Sequence, residues 1–433
     1  MLRGLLIRFL VVVALPVAFL RPFGGMLFYL WYSHARPNDF VWPEYTFDKG
    51  AYLLAIAIGL GYFLFEMGRS PLRLRGLKLL PIFWIWIAIA TVLAADPSLA
   101  FPKLQQYAHI FVITFLIAAM ANSESRISQL LYVIAISIGM VGAKGAVDFI
   151  ISGGQARMRG PGGLMKEENE FALVLNMAIP MLVGLASCQP RKWARLLLWG
   201  MALGCAITVV GTRSRSGFLG LATAALLLTF YSKRKVLGFA ALGLAAVAFL
   251  VFAPSKSMHR YESISTAAEV DPSAIGRLQA WKTGLAMMKA HPLFGVGPLN
   301  FDTTFDEYSN YTARAPHNAF VALGAESGIP SCLLFMGILG SAIMQMRRLR
   351  RRLQSYPDST ELWTYCLIIQ ITLLVYIVPN CFINRQNLDL MYHLVGISAG
   401  LALVAKRRLA EQSMEVASEP QTGAENDLEL AQA

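Results

Sequence analysis

The feature that most constrains this chain is a succession of apolar runs, each long enough to cross a bilayer. A membrane helix needs about 20 mostly apolar residues, because every backbone polar group must find its partner inside the segment. Such runs cover 4–20, 51–67, 78–96, 107–121, 129–152, 171–188, 194–211, 216–231, 236–253, 318–346, 362–379 and 390–405. They predict an all-α, polytopic integral membrane protein of about twelve transmembrane helices. Pro16, Arg21 and Pro22 interrupt the first run, which extends to 33 as either one kinked helix or two short ones. It resembles a signal peptide but has no small-residue cleavage site before Arg21, so it reads as a signal anchor and first span. Composition agrees: 56% of the 433 residues are hydrophobic and 15% charged, against roughly 25% charged in soluble domains.

Orientation follows from the basic loops, since Lys and Arg are retained on the cytoplasmic side. Arg69–Lys78, Arg191–Arg195, Lys233–Lys235, Arg347–Arg352 and Lys406–Arg408 all fall at one end when the spans alternate, as do Arg3 and Arg8. The net charge of +12 is explained in this way, and no nucleic-acid partner is implied. Residues 1–410 form a single transmembrane domain on this reading. Residues 411–433, acidic and rich in Ser, Gln and Glu, form a disordered cytoplasmic tail. The opposite face receives 34–50, 97–106, 153–170, 212–215, 254–317 and 380–389. In the longest, 254–317, Leu278, Trp281, Leu285 and Met288 recur at helical spacing. They predict an amphipathic helix at the membrane surface, followed by the turn-rich GVGPLNF.

Basic residues on that second face are informative because the orientation rule makes them scarce there. Arg157, Arg159 and Lys166 share one loop, and Arg213 and Arg215 a very short one. Arg277, Lys282, Lys289 and Arg314 lie in the long loop, and Arg385 in the last. Such a cluster suits an anionic ligand, and the guanidinium fork suits phosphate oxygens; snorkelling toward lipid phosphates is the plain alternative. Arg215 sits in GTRSRSG, where Gly211 and Gly217 permit close backbone approach. His317 opens a span and is the best acid/base candidate, because a neutral imidazole can accept a proton from a sugar hydroxyl; an interface or capping histidine is the competing reading. Asn318 could orient ring or substrate. Glu326 is an ionisable group within the span, alternatively a structural partner for an arginine. Asn169 and Glu170 open another span, where Asn is ordinarily an N-cap. His34, His109, His259, His291 and His393 are scattered and carry no assigned role.

Other chemistries find little support. The carboxylates Asp39, Glu44 and Asp48, and Asp271, Asp302, Asp306 and Glu307, form no compact metal-binding pattern. The five cysteines contain no CxxC pair. There is no phosphate-binding loop after a strand, so no nucleotide cofactor is implied.

The ordered set Gly160-Pro161, Asn169-Glu170-Phe171-Ala172, Ser214-Arg215-Ser216-Gly217, Gly276-Arg277 with Trp281, His291-Pro292-Leu293-Phe294-Gly295-Val296-Gly297, and His317-Asn318 followed by Glu326-Ser327-Gly328-Ile329-Pro330 resembles the O-antigen ligase and polymerase superfamily. FYLWYSHARPNDFVWPEYTFDKG is similar to a branch described as O-glycosylation ligases of exosortase-linked systems. The resemblance implies a bacterial inner-membrane enzyme with its active site facing the periplasm. It would transfer glycan from undecaprenyl diphosphate to lipid A–core, without metal or nucleotide cofactor. Arg215 and Arg277 would hold the donor diphosphate and His317 would activate the acceptor. Arg157, Arg159, Arg213, Asn169, Trp281, Asn318, Glu326 and Arg385 would line the substrate. An inverting transfer needs one base on the acceptor and charge stabilisation on the leaving diphosphate, which arginines can supply. The alternatives are an O-antigen polymerase, a protein O-glycosylation ligase, a transporter or flippase, and a metal-dependent glycosyltransferase using the carboxylates of 34–50.

Overall fold

A computed structural model describes residues 2–40, 49–68, 76–162, 165–232, 235–236, 238–239, 272–355 and 360–418. Its helices are α1 (Leu2–Leu20), α2 (Pro22–Ala35), α3 (Gly50–Gly61), α4 (Leu79–Val92), α5 (Pro97–Met120), α6 (Glu124–Ile151) and α7 (Glu168–Cys188). There follow α8 (Lys192–Thr212), α9 (Arg215–Tyr231), α10 (Pro272–Ala290), α11 (Phe305–Tyr308), α12 (Ala319–Leu353), α13 (Thr360–Asn380) and α14 (Asp389–Ser418). No strand occurs among the described residues. The protein is an all-α polytopic membrane protein.

Among the described residues eight helices are long and apolar enough to cross a membrane, and α3 with its π-turn, α4 and α9 are shorter apolar helices. These overlie the expected spans, although α5 begins at Pro97 and takes in the expected loop 97–106; 236–253 lies mostly outside the described residues, as does 254–271 of the long loop. The first run is two helices. Arg21 leaves the helical region at φ −131°, and Pro22 follows at the first position of α2. Proline has no N–H to continue a helix but suits its first turn. At the other end α14 runs to Ser418, past the expected boundary at 410; 419–433 lie outside the described residues.

The core sits around α7, α13 and α14, with 78%, 72% and 83% of their most apolar windows buried, against 17% for α1. α1 therefore presents Leu5, Phe9, Val12 and Val13 outward, as a helix bathed in lipid does.

The expected surface helix is present as α10, but the buried face is not the expected stripe. Leu278 and Leu285 are exposed, and Trp281 and Met288 are half-buried. Ala280, Thr283, Gly284 and Met287 are the buried positions, and α10 packs on α12. A side chain at 284 would stand 2.6 Å from Val321 Cγ1. Small residues face the protein because close helix approach demands them.

Candidate active site

The site is organised by a break in α12. Gly328 has φ 83° and ψ 165° inside that helix, a region essentially restricted to glycine. The break frees two carbonyls and one N–H, and the turn after α10 pairs with all three. Val296 N donates to Ala325 O at 2.9 Å, Gly297 N to Glu326 O at 2.9 Å, and Ile329 N to Pro292 O at 2.9 Å. A Cβ on Gly328 would lie 1.8 Å from Leu293 O. Trp86 Nε1 from α4 donates to both Leu293 O and Ser327 O at 3.2 Å. The two motifs HPLFGVG and ESGIP are thus halves of one joint, and irregular backbone at membrane depth survives because protein covers it. Asn300 anchors the same segment to the start of α5: its Oδ1 accepts from Asp96 N at 2.8 Å and its Nδ2 donates to Asp96 O at 3.1 Å.

His317 stands at the mouth of α12 in a left-handed backbone conformation, φ 43°, which is costly for a non-glycine residue. Its neighbours hold it there. Trp281 Nε1 donates to Pro316 O at 2.6 Å, and Asn318 N donates to Asn384 Oδ1 at 2.6 Å. The Asn318 side chain caps α12, accepting from Phe320 N at 3.0 Å and Val321 N at 3.1 Å. Capping falls to Asn318 and leaves the imidazole of His317 at the surface. Partial desolvation holds the imidazole pKa below its ordinary 6.5; Arg277 and Arg385 push the same way, and Asp302 opposes them. Burial raises the Asp302 carboxyl, an effect that His317 opposes.

Glu326 is buried in the segment of α12 above the break. Its carboxylate accepts the backbone N–H of Leu299 and lies within electrostatic reach of Lys103 on α5 and of Asp302. The cation beside it is a lysine rather than the arginine that its structural reading called for.

The remaining basic residues divide. Arg385 Nη2 lies 3.1 Å from Glu170 Oε1. Its backbone is fixed by Asn380 Oδ1 at 3.1 Å and by the Tyr376 hydroxyl on its carbonyl at 2.7 Å. Arg385 Nε and Glu170 Oε2 are buried without a hydrogen-bond partner. Asn169 lies inside α7 rather than at its N-cap, which is Glu167. Its Oδ1 accepts from Ser214 Oγ at 2.5 Å and from Ser216 Oγ at 3.4 Å, bracketing Arg215 at the start of α9. One end of α7 therefore carries both the clamp on the Arg215 turn and the carboxylate on Arg385. Arg157 and Arg159 each place Nε 2.9 Å from Glu168 Oε1. Arg213 donates to Gln155 O at 2.9 Å and Gly154 O at 3.4 Å, so it pins the neighbouring loop.

Lys103, Asn300 and Asn384 were missed as site residues by sequence reasoning, because nothing in their local pattern ties them to segments so distant in sequence. Among the described residues no three His, Cys, Asp or Glu side chains form a metal-binding group; Glu44, Asp48 and Asp271 lie outside the described residues.

Residues 199–336, which contain Arg215, Arg277, His317 and Glu326, match the family model described as O-antigen ligase. The match covers less than half of the 433 residues and makes this segment similar to O-antigen ligases. That similarity supports a function of the ligase or polymerase type in general. Residues 1–182 match a second model, described as a family of unknown function, DUF5935. That match takes in Arg157, Arg159 and Asn169, while Arg385 lies beyond both. No curated protein matches the chain.

Proposed function

We propose that this protein is an O-antigen ligase that transfers glycan from undecaprenyl diphosphate to lipid A–core at the periplasmic face of the inner membrane. The observation that carries the reading is His317, held at the mouth of α12 with Arg277 and Arg385 in its electrostatic environment, inside the segment that matches the family. His317 takes the proton from an acceptor hydroxyl. The oxygen attacks the anomeric carbon, the bond from that carbon to the phosphate oxygen breaks, and undecaprenyl diphosphate leaves with the bonding electrons. The configuration inverts. Arg215 and Arg277 bind the departing diphosphate, Arg385 adds charge held in place by Glu170, and Trp281 and Asn318 position the histidine. Losing one such stabilising group costs on the order of 100-fold in rate.

The test is deletion of the gene. Loss of long O-chains from mature lipopolysaccharide, with lipid-linked O-antigen still accumulating at full length, is the expected result. Single repeat units on lipopolysaccharide would make the protein a polymerase. Unchanged lipopolysaccharide with a lost protein glycan would move the acceptor to protein, the reading favoured by the stretch shared with exosortase-linked ligases.

A further inference from the structure

Two cavities share the seam between the antiparallel helices α4 and α12, at the end of the bundle opposite His317. The first, of about 510 Å³, is lined by Gly76, Ser341, Gln345, Arg348, Arg352 and Lys406, among others. Its three cations converge from two helices. Arg348 and Arg352 are one helical turn apart, where like charges repel, and Lys406 faces them from α14. Among the described residues no acidic side chain lines the cavity. The rest of the same basic run is disposed differently: Arg350 lies 4.7 Å from the Tyr231 ring and 5.5 Å from that of Trp363, and Arg347 and Arg351 do not line the cavity. Arg347, Arg348, Arg351 and Arg352 are all exposed, and what separates the two pairs is that Arg348 and Arg352 border the cavity.

The second cavity, about 380 Å³, continues the seam toward the break in α12 and is lined by Leu79, Ile82, Trp86, Leu333 and Gly337, among others. It is apolar apart from the Trp86 indole, whose N–H is already committed to the α12 joint. The order of residues along both helices makes the two cavities consecutive. Gly76 precedes Leu79 on the α4 side, and Ser341 follows Gly337 on α12. A cationic cavity followed along the same seam by an apolar groove matches a molecule with an anionic head and a hydrocarbon chain.

We propose that the α4–α12 seam binds an anionic phospholipid, its headgroup phosphate between Arg348, Arg352 and Lys406 and one acyl chain along Ile82, Leu333 and Gly337. The phosphate relieves the repulsion of the three cations, and basic pockets between membrane helices suit lipid headgroups in this way. The chain ends beneath Trp86, so the lipid props the lower half of α12 against the helix that holds its break. This site is separate from the transfer reaction and does not depend on it.

The full-length protein, purified in neutral detergent, is titrated with phosphatidylglycerol, phosphatidylcholine or inorganic phosphate, and bound lipid is counted by native mass spectrometry. Phosphatidylglycerol should bind at least tenfold more tightly than phosphatidylcholine. Arg348→Gln with Arg352→Gln should weaken it at least tenfold. Arg347→Gln with Arg351→Gln removes the same charge from outside the cavity and should change binding less than twofold. Should the first pair fail to fold, Gly337→Leu fills the groove without altering charge and should weaken binding several-fold. Equal binding of the two lipids, equal loss in both arginine pairs, or full binding in Gly337→Leu overturns the proposal. Displacement of phosphatidylglycerol by millimolar inorganic phosphate would also overturn it, in favour of a free-phosphate site.

Discussion

His317 carries the sharpest consequences at the scale of single residues. A base must be neutral to act, and its acid limb marks where it is lost. Desolvation and the two arginines hold the imidazole pKa below 6.5 while Asp302 opposes them. Activity should therefore persist as pH falls through the ordinary histidine range and decline only below it. Asp302→Asn removes the opposing charge, so its acid limb should move to still lower pH. Profiles of kcat/KM against pH in a reconstituted assay read both effects. An acid limb at or above 6.5, unmoved by Asp302→Asn, would take the histidine out of the base role, and a well-expressed His317→Ala that transfers at the wild-type rate would do the same. Arg215 makes a different point. Lysine keeps the charge but loses the planar fork, so Arg215→Lys should raise the donor KM or lower kcat by tenfold or more. Wild-type kinetics in that variant would show that charge alone suffices there.

At the scale of elements, the joint between the α10–α11 turn and α12 is the part on which the site depends. Gly328→Ala places a methyl 1.8 Å from Leu293 O in a conformation that costs non-glycine residues about 1–3 kcal/mol before any clash. It should lower the thermal unfolding temperature and abolish transfer. Gly340→Ala, on the same helix with nothing within 4 Å of its Cβ, should be neutral or stabilising by up to about 1 kcal/mol. Unfolding followed in detergent compares the two, and equal melting temperatures would remove the joint from its structural role. This joint marks a limit of what the residues reveal unaided. Hydropathy locates spans because lipid imposes one requirement on every residue of a run, so α5 to α9 could be anticipated. The break at Gly328 could not, because Gly and Pro occur within intact membrane helices and only the docked turn makes the break stable. The stripe Leu278, Trp281, Leu285 and Met288 misled for a related reason. Its partner was taken to be lipid, whereas α10 rests on protein through Ala280 and Gly284. His34 and His393 lay beyond any local pattern; they meet at 3.1 Å from opposite ends of the chain. The candidate cations were easier to pick out, since they stand on a face where the orientation rule disfavours them.

For the whole molecule, the two ends of the bundle carry different kinds of charge. At one end Arg348, Arg352 and Lys406 gather around a cavity with no acid among the described residues that line it, and Arg350 reaches Tyr231 at the foot of α9. At the other, Arg385 is paired with Glu170 and the Arg157–Arg159 pair with Glu168. Excess unpaired positive charge belongs on the cytoplasmic side, while paired and site-directed charge can cross. This distribution supports the proposed orientation: the α8 start and the α12 foot in the cytoplasm, α10 and His317 outside. Lys289, at the exposed end of α10, and Arg195, near the start of α8, report on opposite ends. In a background without the native cysteines, Lys289→Cys should react with a membrane-impermeant maleimide in cells whose outer membrane alone is permeabilised. Arg195→Cys should react only after the inner membrane is opened. The reverse pattern would place His317 in the cytoplasm, where a lipid-linked donor that has already crossed the membrane is out of reach, and the proposed transfer would fall with the topology.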